Sequence, residues 1–323
     1  MTPGSGAPHE RWVEVDGTWV HTAEWGPTTG PVLLAVHGLG GSTVNWEPVG
    51  PGLAAATGRR VLAVDLPGFG RTRPGALPAT FDGFLGVLAF FAARHGPVLV
   101  AGNSMGGALS VALAARHPEL VDGVLLVNAA FPRPLGNLEQ LARSARFAAL
   151  LAPRVATPIV RARLALRPET LVDASLRAVL AHPRRLDPDV RRRLVALADE
   201  RRRVPEAAAA YASAGGTLLR YLVGEMRRDL AMVRAPTLVL HGRRDRLVPV
   251  SFARAAVARR RDWRLVELAS CGHVPMLEVP EVTVRAVAQW WAEVGGTGTA
   301  PPTGGAVRLA TSDEPERPHL VPL

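Results

Sequence analysis

Two hydrophobic rhythms alternate along most of the chain. Apolar runs of strand length recur at residues 31–36, 60–65, 97–101, 121–128, 236–242 and 263–268. Unbroken runs of this kind predict strands buried on both faces, as in a parallel sheet. Between them the period lengthens to that of a helix, over residues 44–57, 81–95, 108–116, 251–261 and 281–294. Pro48 and Pro51 confine the regular part of the first helix to its later half. Residues 11–15 and 18–25 alternate instead around Asp16-Gly17, which predicts a hairpin with a two-residue turn. Strands alternating with helices predict an α/β fold: a doubly wound, mostly parallel sheet with the hairpin as an antiparallel edge.

The rhythm stops after Phe131 and resumes near Val233. The intervening stretch is rich in Arg, Ala and Leu, helical in period, and punctuated at Pro153, Pro158, Pro168, Pro183 and Pro205. Its length suits a small domain. The predicted organisation is therefore a core of residues 11–130 and 234–294 with a helical cap inserted at 131–233. Residues 1–10, rich in Pro and Gly, and residues 295–323, rich in Gly, Pro and Thr, are expected to be flexible or disordered tails.

Composition narrows the classes. No window approaches the length of an apolar membrane span, and the first ten residues lack the pattern of a secretory signal. The single cysteine, Cys271, leaves no internal disulfide and fits a cytoplasmic location. The net charge of +10 invites a nucleic-acid reading, but the chain has no lysine and all 38 basic residues are arginine, which looks like coding bias. The clusters at 191–193, 201–203 and 259–261 lack interleaved aromatics and read as solvated helix faces, so no nucleic-acid partner is expected. The nine histidines form no metal-binding pattern, and no GxGxxG opens a helix after the first strand, so no metal or cofactor is expected.

Chemistry concentrates where strands end. Gly102-Asn103-Ser104-Met105-Gly106 lies between a buried strand and a buried helix. In that context the pattern predicts a nucleophile elbow, a sharp turn holding a serine hydroxyl above the sheet edge. A hydroxyl needs a base, and an imidazole base needs an orienting carboxylate. Asp245 follows the strand at 236–242 and His273 follows the strand at 263–268, so both reach the same rim. Asp245 as a helix cap is the rival reading, for which Ser251 is better placed. Asp65 is expected to shape a turn, and Cys271 to pack. Asn45 and Trp46 either line a pocket or cover the sheet.

Five motifs in this order resemble the α/β-hydrolase fold family over residues 12–294: HGLGG at 37–41, DLPGFGRT at 65–72, GNSMGG at 102–107, HGRRDRLVP at 241–249 and CGHVPMLEVPE at 271–281. The resemblance implies Ser104 as nucleophile, His273 as general base and then acid, and Asp245 as its orienting carboxylate. It also implies an oxyanion hole from the backbone N–H groups of Leu39 and Met105, with His37 shaping that loop. Serine at the elbow argues against dehalogenases and epoxide hydrolases, which resemblance would give a carboxylate there. The expected activity is a serine hydrolase, a carboxylesterase or lipase acting on a small, largely apolar ester without a cofactor. The alternatives are hydrolysis of a carbon–carbon bond in a β-diketone or ring-cleavage product, a perhydrolase, and a non-catalytic ligand-binding protein. Enzymes of the first kind often carry a tryptophan just after the histidine, where this chain has Val274.

Overall fold

The computed structural model describes residues 6–132, 153–294 and 306–309. The chain enters as a hairpin, β1 (His9–Val15) and β2 (Thr18–Trp25). Its turn places Asp16 and Gly17 both at positive φ, 44° and 75°, the geometry that matches the twist of paired strands. Then follow β3 (Val32–Val36), β4 (Arg60–Val64), β5 (Val98–Asn103), β6 (Val121–Val127), β7 (Thr237–Gly242) and β8 (Trp263–Leu268). With β9 (Ala306–Leu309) they form one sheet in the order β1-β2-β4-β3-β5-β6-β7-β8-β9. The pairs β1/β2 and β2/β4 are antiparallel and the remaining pairs are parallel.

Side-chain alternation divides each central strand between two apolar layers. Val32, Leu34, Val36, Val98 and Val100 face the layer built on α2 (Phe81–His95) and α3 (Met105–Arg116). Leu33, Ala35, Leu99 and Ala101 face the other, built on α1 (Gly50–Thr57) and a C-terminal helix at Pro280–Val294. All of these strand residues are fully buried, so each valine and leucine among them contributes about 1.5–3 kcal/mol through removal of apolar surface from water. The chain leaves β3 for β4 on one side and returns to β5 on the other. The carboxyl ends of β3 and β5 therefore flank the point where strand order reverses, which opens a crevice there.

Between β6 and β7 the described insertion is helical: α4 (Pro153–Leu164), α5 (Pro168–Val179), α6 (Pro188–Arg201), α7 (Ala207–Gly224) and α8 (Met226–Met232). It is not a detached unit. Leu176, Leu180, Leu186, Val190 and Leu197 join one apolar layer, and Ala214, Leu218 and Tyr221 join the other. The core closes with α9 (Val250–Val257), the short α10 (Pro275–Glu278) and α11 (Pro280–Val294).

Several expectations need correction. The break expected at Pro168 is a helix start, since Pro168 stands at the first position of α5, where a missing N–H costs nothing. Pro158 lies inside α4 without ending it. β1 begins at His9, inside the stretch expected to be flexible; residues 1–5 lie outside the described residues. Within the stretch expected to be disordered, Ala306–Leu309 forms a strand paired in parallel with β8, and the rest of 295–323 lies outside the described residues. The expected cap also spans residues 133–152, which lie outside the described residues. Neither Asp245 nor Ser251 caps α9, whose N-cap is Pro249 without a side-chain bond. Two arginines of the basic clusters are not solvated. Arg201 donates to the carbonyls of Gly68 and Gly70, and Arg260 to those of Leu230 and Val233. No described helix is long and apolar enough to cross a membrane.

Candidate active site

Ser104 stands between β5 and α3 at φ 54° and ψ −114°. That conformation costs a non-glycine residue about 1–3 kcal/mol and persists only when its surroundings fix it. Here they do. The Ser104 N–H donates to Val127 O at 3.1 Å, and its carbonyl accepts from Gly107, Ala108 and Ala130 at 3.0, 3.2 and 2.9 Å. The flanking glycines are required by contact: a Cβ on Gly102 would lie 2.1 Å from Gly106 O, and one on Gly106 would lie 2.3 Å from Val36 O. The side chain is half-buried, at the N-terminus of α3 where partial positive charge favours an anion.

The loop after β3 comes alongside, since a Cβ on Gly38 would lie 3.0 Å from Ser104 Cβ. Neither Leu39 N–H nor Met105 N–H makes a hydrogen bond among the described residues. His37 shapes this loop. Its Nδ1 donates to Gly38 O at 2.7 Å while its Nε2 accepts from Leu66 N–H at 3.1 Å, which fixes the neutral tautomer. Burial pushes its pKa below the ordinary imidazole value in spite of Asp65. From the insertion, Tyr211 lies against Gly40, where a Cβ would meet its Cε2 at 3.0 Å.

Asp245 and His273 come together. His273 Nδ1 donates to Asp245 Oδ2 at 2.7 Å. The carboxylate is fully engaged: Oδ2 also accepts from Asn128 Nδ2 at 2.7 Å, and Oδ1 accepts from Leu247 and Val248 N–H at 2.8 and 2.9 Å. Burial alone would raise the Asp245 pKa, but the bond to His273, its charge and the other donors outweigh it and hold the carboxyl below its usual value. The pair joins the serine turn through Asn103, whose Nδ2 donates to His273 O at 3.1 Å. Among the described residues no hydrogen bond links the Ser104 hydroxyl to the imidazole, a contact that tightens in many enzymes only when substrate is bound.

Asp65 is the structural residue expected, accepting from His21 Nδ1 and from Thr43 and Arg71 N–H at 2.8, 2.7 and 2.9 Å. Cys271 is fully buried, and burial together with Glu278 raises its pKa, as suits a packing thiol. Trp46 is fully buried in the core, and Asn45 closes its own turn by accepting from Ser42 N–H at 2.8 Å. Asn103, Asn128 and Glu278 escaped the sequence reading. Asn128 alone left a trace, as an asparagine ending the apolar run at 121–128; it stands at φ 44°, which asparagine tolerates. Among the described residues no group of three or more His, Cys, Asp or Glu could hold a metal ion.

A family model described as "Alpha/beta hydrolase family" matches residues 32–286. The chain is 31% identical over 274 residues to a pimeloyl-[acyl-carrier protein] methyl ester esterase of Aromatoleum aromaticum, across 78% of this chain and 94% of that one. It is 29% identical over 282 residues to a 2-hydroxy-6-oxo-6-(2'-aminophenyl)hexa-2,4-dienoic acid hydrolase of Metapseudomonas resinovorans, across 84% and 87% of the two chains. Among solved structures, a membrane phospholipase A described as a bacterial virulence factor is similar with a TM-score of 0.70 and 29% identity, covering 91% of this chain and 89% of that one.

Proposed function

This chain belongs to the alpha/beta hydrolase family, and from that premise we propose that it cleaves carboxylic esters of small, largely apolar substrates through an acyl-enzyme. The observation that carries the reading is the strained Ser104 turn on the same rim as the 2.7 Å His273–Asp245 pair. In the proposed reaction His273 Nε2 takes the Ser104 proton as Oγ attacks the ester carbonyl. Asp245 keeps the Nδ1–H tautomer and stabilises the imidazolium that forms. The N–H groups of Leu39 and Met105 hold the oxyanion, where loss of one such donor costs on the order of 10²–10³ in turnover. Collapse of the tetrahedral species returns the proton from His273 to the leaving alkoxide. Water, deprotonated by the same imidazole, then releases the acid.

The insertion assigned to 131–233 acts in this reading as a cap that bounds the substrate, since Tyr211 overlies the loop carrying Leu39. The lone buried Cys271 supports a reducing, cytoplasmic setting. Carbon–carbon bond hydrolysis is the second reading, favoured by the similarity to the dienoic acid hydrolase.

Turnover of p-nitrophenyl acetate and butyrate tests the proposal. Ser104→Ala is expected to lose on the order of 10⁶-fold in kcat, the scale seen when a nucleophile is removed from such a triad. Equal rates in the two proteins would instead favour a binding protein. Cleavage of a vinylogous diketone without ester turnover would favour the second reading.

A further inference from the structure

The turn before His273 leans on a buried carboxylate that the reaction above does not use. Glu278, the last residue of α10, is 2% exposed. Its Oε2 accepts from Gly272 N–H at 2.8 Å and from Ala181 N–H at 3.1 Å. Its Oε1 accepts from His182 N–H at 2.7 Å. Ala181 and His182 follow α5, so one side chain ties the turn of the core to the end of a helix in the insertion. A second bond closes the same seam: His273 N–H donates to Val179 O at 2.6 Å. Gly272 permits this approach, since a Cβ there would lie 2.5 Å from Val179 O.

Removing a carboxylate from water is costly unless donors replace its hydration, and three backbone N–H groups do so here. The outer side of the junction is also polar. His182 Nε2 lies 2.7 Å from Ser270 Oγ, Arg185 donates to Ser270 O at 2.8 Å, and Arg244 reaches His182 Nε2 at 3.2 Å. The backbone on both sides of His273 is thereby fixed, by Glu278 and α5 before it and by Asn103 at its own carbonyl.

We propose that Glu278 is a positioning residue for His273, holding the imidazole in register with Ser104 by clamping its turn to the end of α5. The proposal rests on the assignment of His273 as general base. A clamp of this kind makes the insertion and the base move as one body, so displacement of α5 by a bound ligand reaches the imidazole directly. Misplacement by about 1 Å costs up to 10²-fold in rate, so a loosened clamp is read as loss of kcat with KM little changed.

Glu278→Gln keeps the shape but leaves one oxygen for three donors. Steady-state ester turnover, normalised to serine titrated with a fluorophosphonate, is expected to fall about tenfold in kcat with KM near wild type. Amide hydrogen exchange at Ala181, His182 and Gly272 is expected to accelerate in the same variant. Unchanged kcat per titrated serine, with or without a lower melting temperature, overturns the proposal. So does unchanged exchange at those amides. Should Glu278→Gln fail to fold, Glu278→Asp, which withdraws the carboxylate by one methylene, is read by the same two measurements. If wild type shows no Ser104-dependent turnover, the esterase reading fails, while the exchange measurement still reports on the clamp.

Discussion

Two aspartate–histidine pairs sit at the same end of the sheet with nearly the same geometry. Asp65 Oδ2 lies 2.8 Å from His21 Nδ1, and Asp245 Oδ2 lies 2.7 Å from His273 Nδ1. Both pairs are buried, and both carboxyls are held below their usual pKa against the upward push of burial. Their surroundings differ. His21 is covered edge-on by Trp12 with ring centroids 5.2 Å apart, and its Nε2 is buried without a hydrogen-bond partner. His273 hangs from a turn whose carbonyl is held by Asn103, the residue before the strained serine. A bonded imidazole is thus common to both places, and only one of them lies beside the elbow. In the proposed reaction the working pair is the one tied to the elbow through Asn103.

The sharpest way to break the comparison is to neutralise each carboxylate in turn. Asp245→Asn is expected to lower kcat about 10⁴-fold, because the amide favours the wrong imidazole tautomer. Steady-state turnover of p-nitrophenyl butyrate measures it. Asp65→Asn is expected to leave turnover per titrated serine near wild type. It should instead cost about 1–3 kcal/mol in urea unfolding, since it weakens buried bonds to Thr43, Arg71 and His21. Similar activity loss in both variants would erase the distinction.

A smaller effect separates the groups by pH. His37 and His241 are pushed below the ordinary imidazole value, foremost by burial. The unfolded chain therefore takes up protons first, and stability declines as pH falls below about 6.5. Asp65 and Asp245 have depressed folded values, so their contribution is complete above the ordinary carboxylate range and is lost as pH falls through the lower folded values. Urea midpoints between pH 8 and pH 3 should fall in two stages, and Asp65→Asn should flatten only the second. A midpoint that rises between pH 7 and pH 5 would contradict the assignment.

Much of this arrangement was legible in the sequence because its signals are local. Asp16-Gly17 between alternating runs specifies the hairpin, and Gly102 and Gly106 around Ser104 specify the elbow. The apolar runs bring Asp245 and His273 to the strand ends, so the pair follows from topology once the strands are placed in parallel order. What escaped acts across long stretches of chain. Asn128 reaches Asp245 over 117 positions, Asn103 reaches His273 over 170, and Arg201 reaches Gly68 over 133. A single polar side chain bonding to distant backbone leaves no periodicity behind. Pro158 differs: the local helix-breaking signal is there, yet α4 runs through it from Pro153 to Leu164.

Labelling by a fluorophosphonate, with the modified residue located by mass spectrometry, tests the central claim most directly. The account predicts one equivalent of label on Ser104, none in Ser104→Ala, slow labelling in His273→Ala and near wild-type labelling in His21→Ala. Labelling of His273→Ala at the wild-type rate, or modification of a different residue, would contradict it.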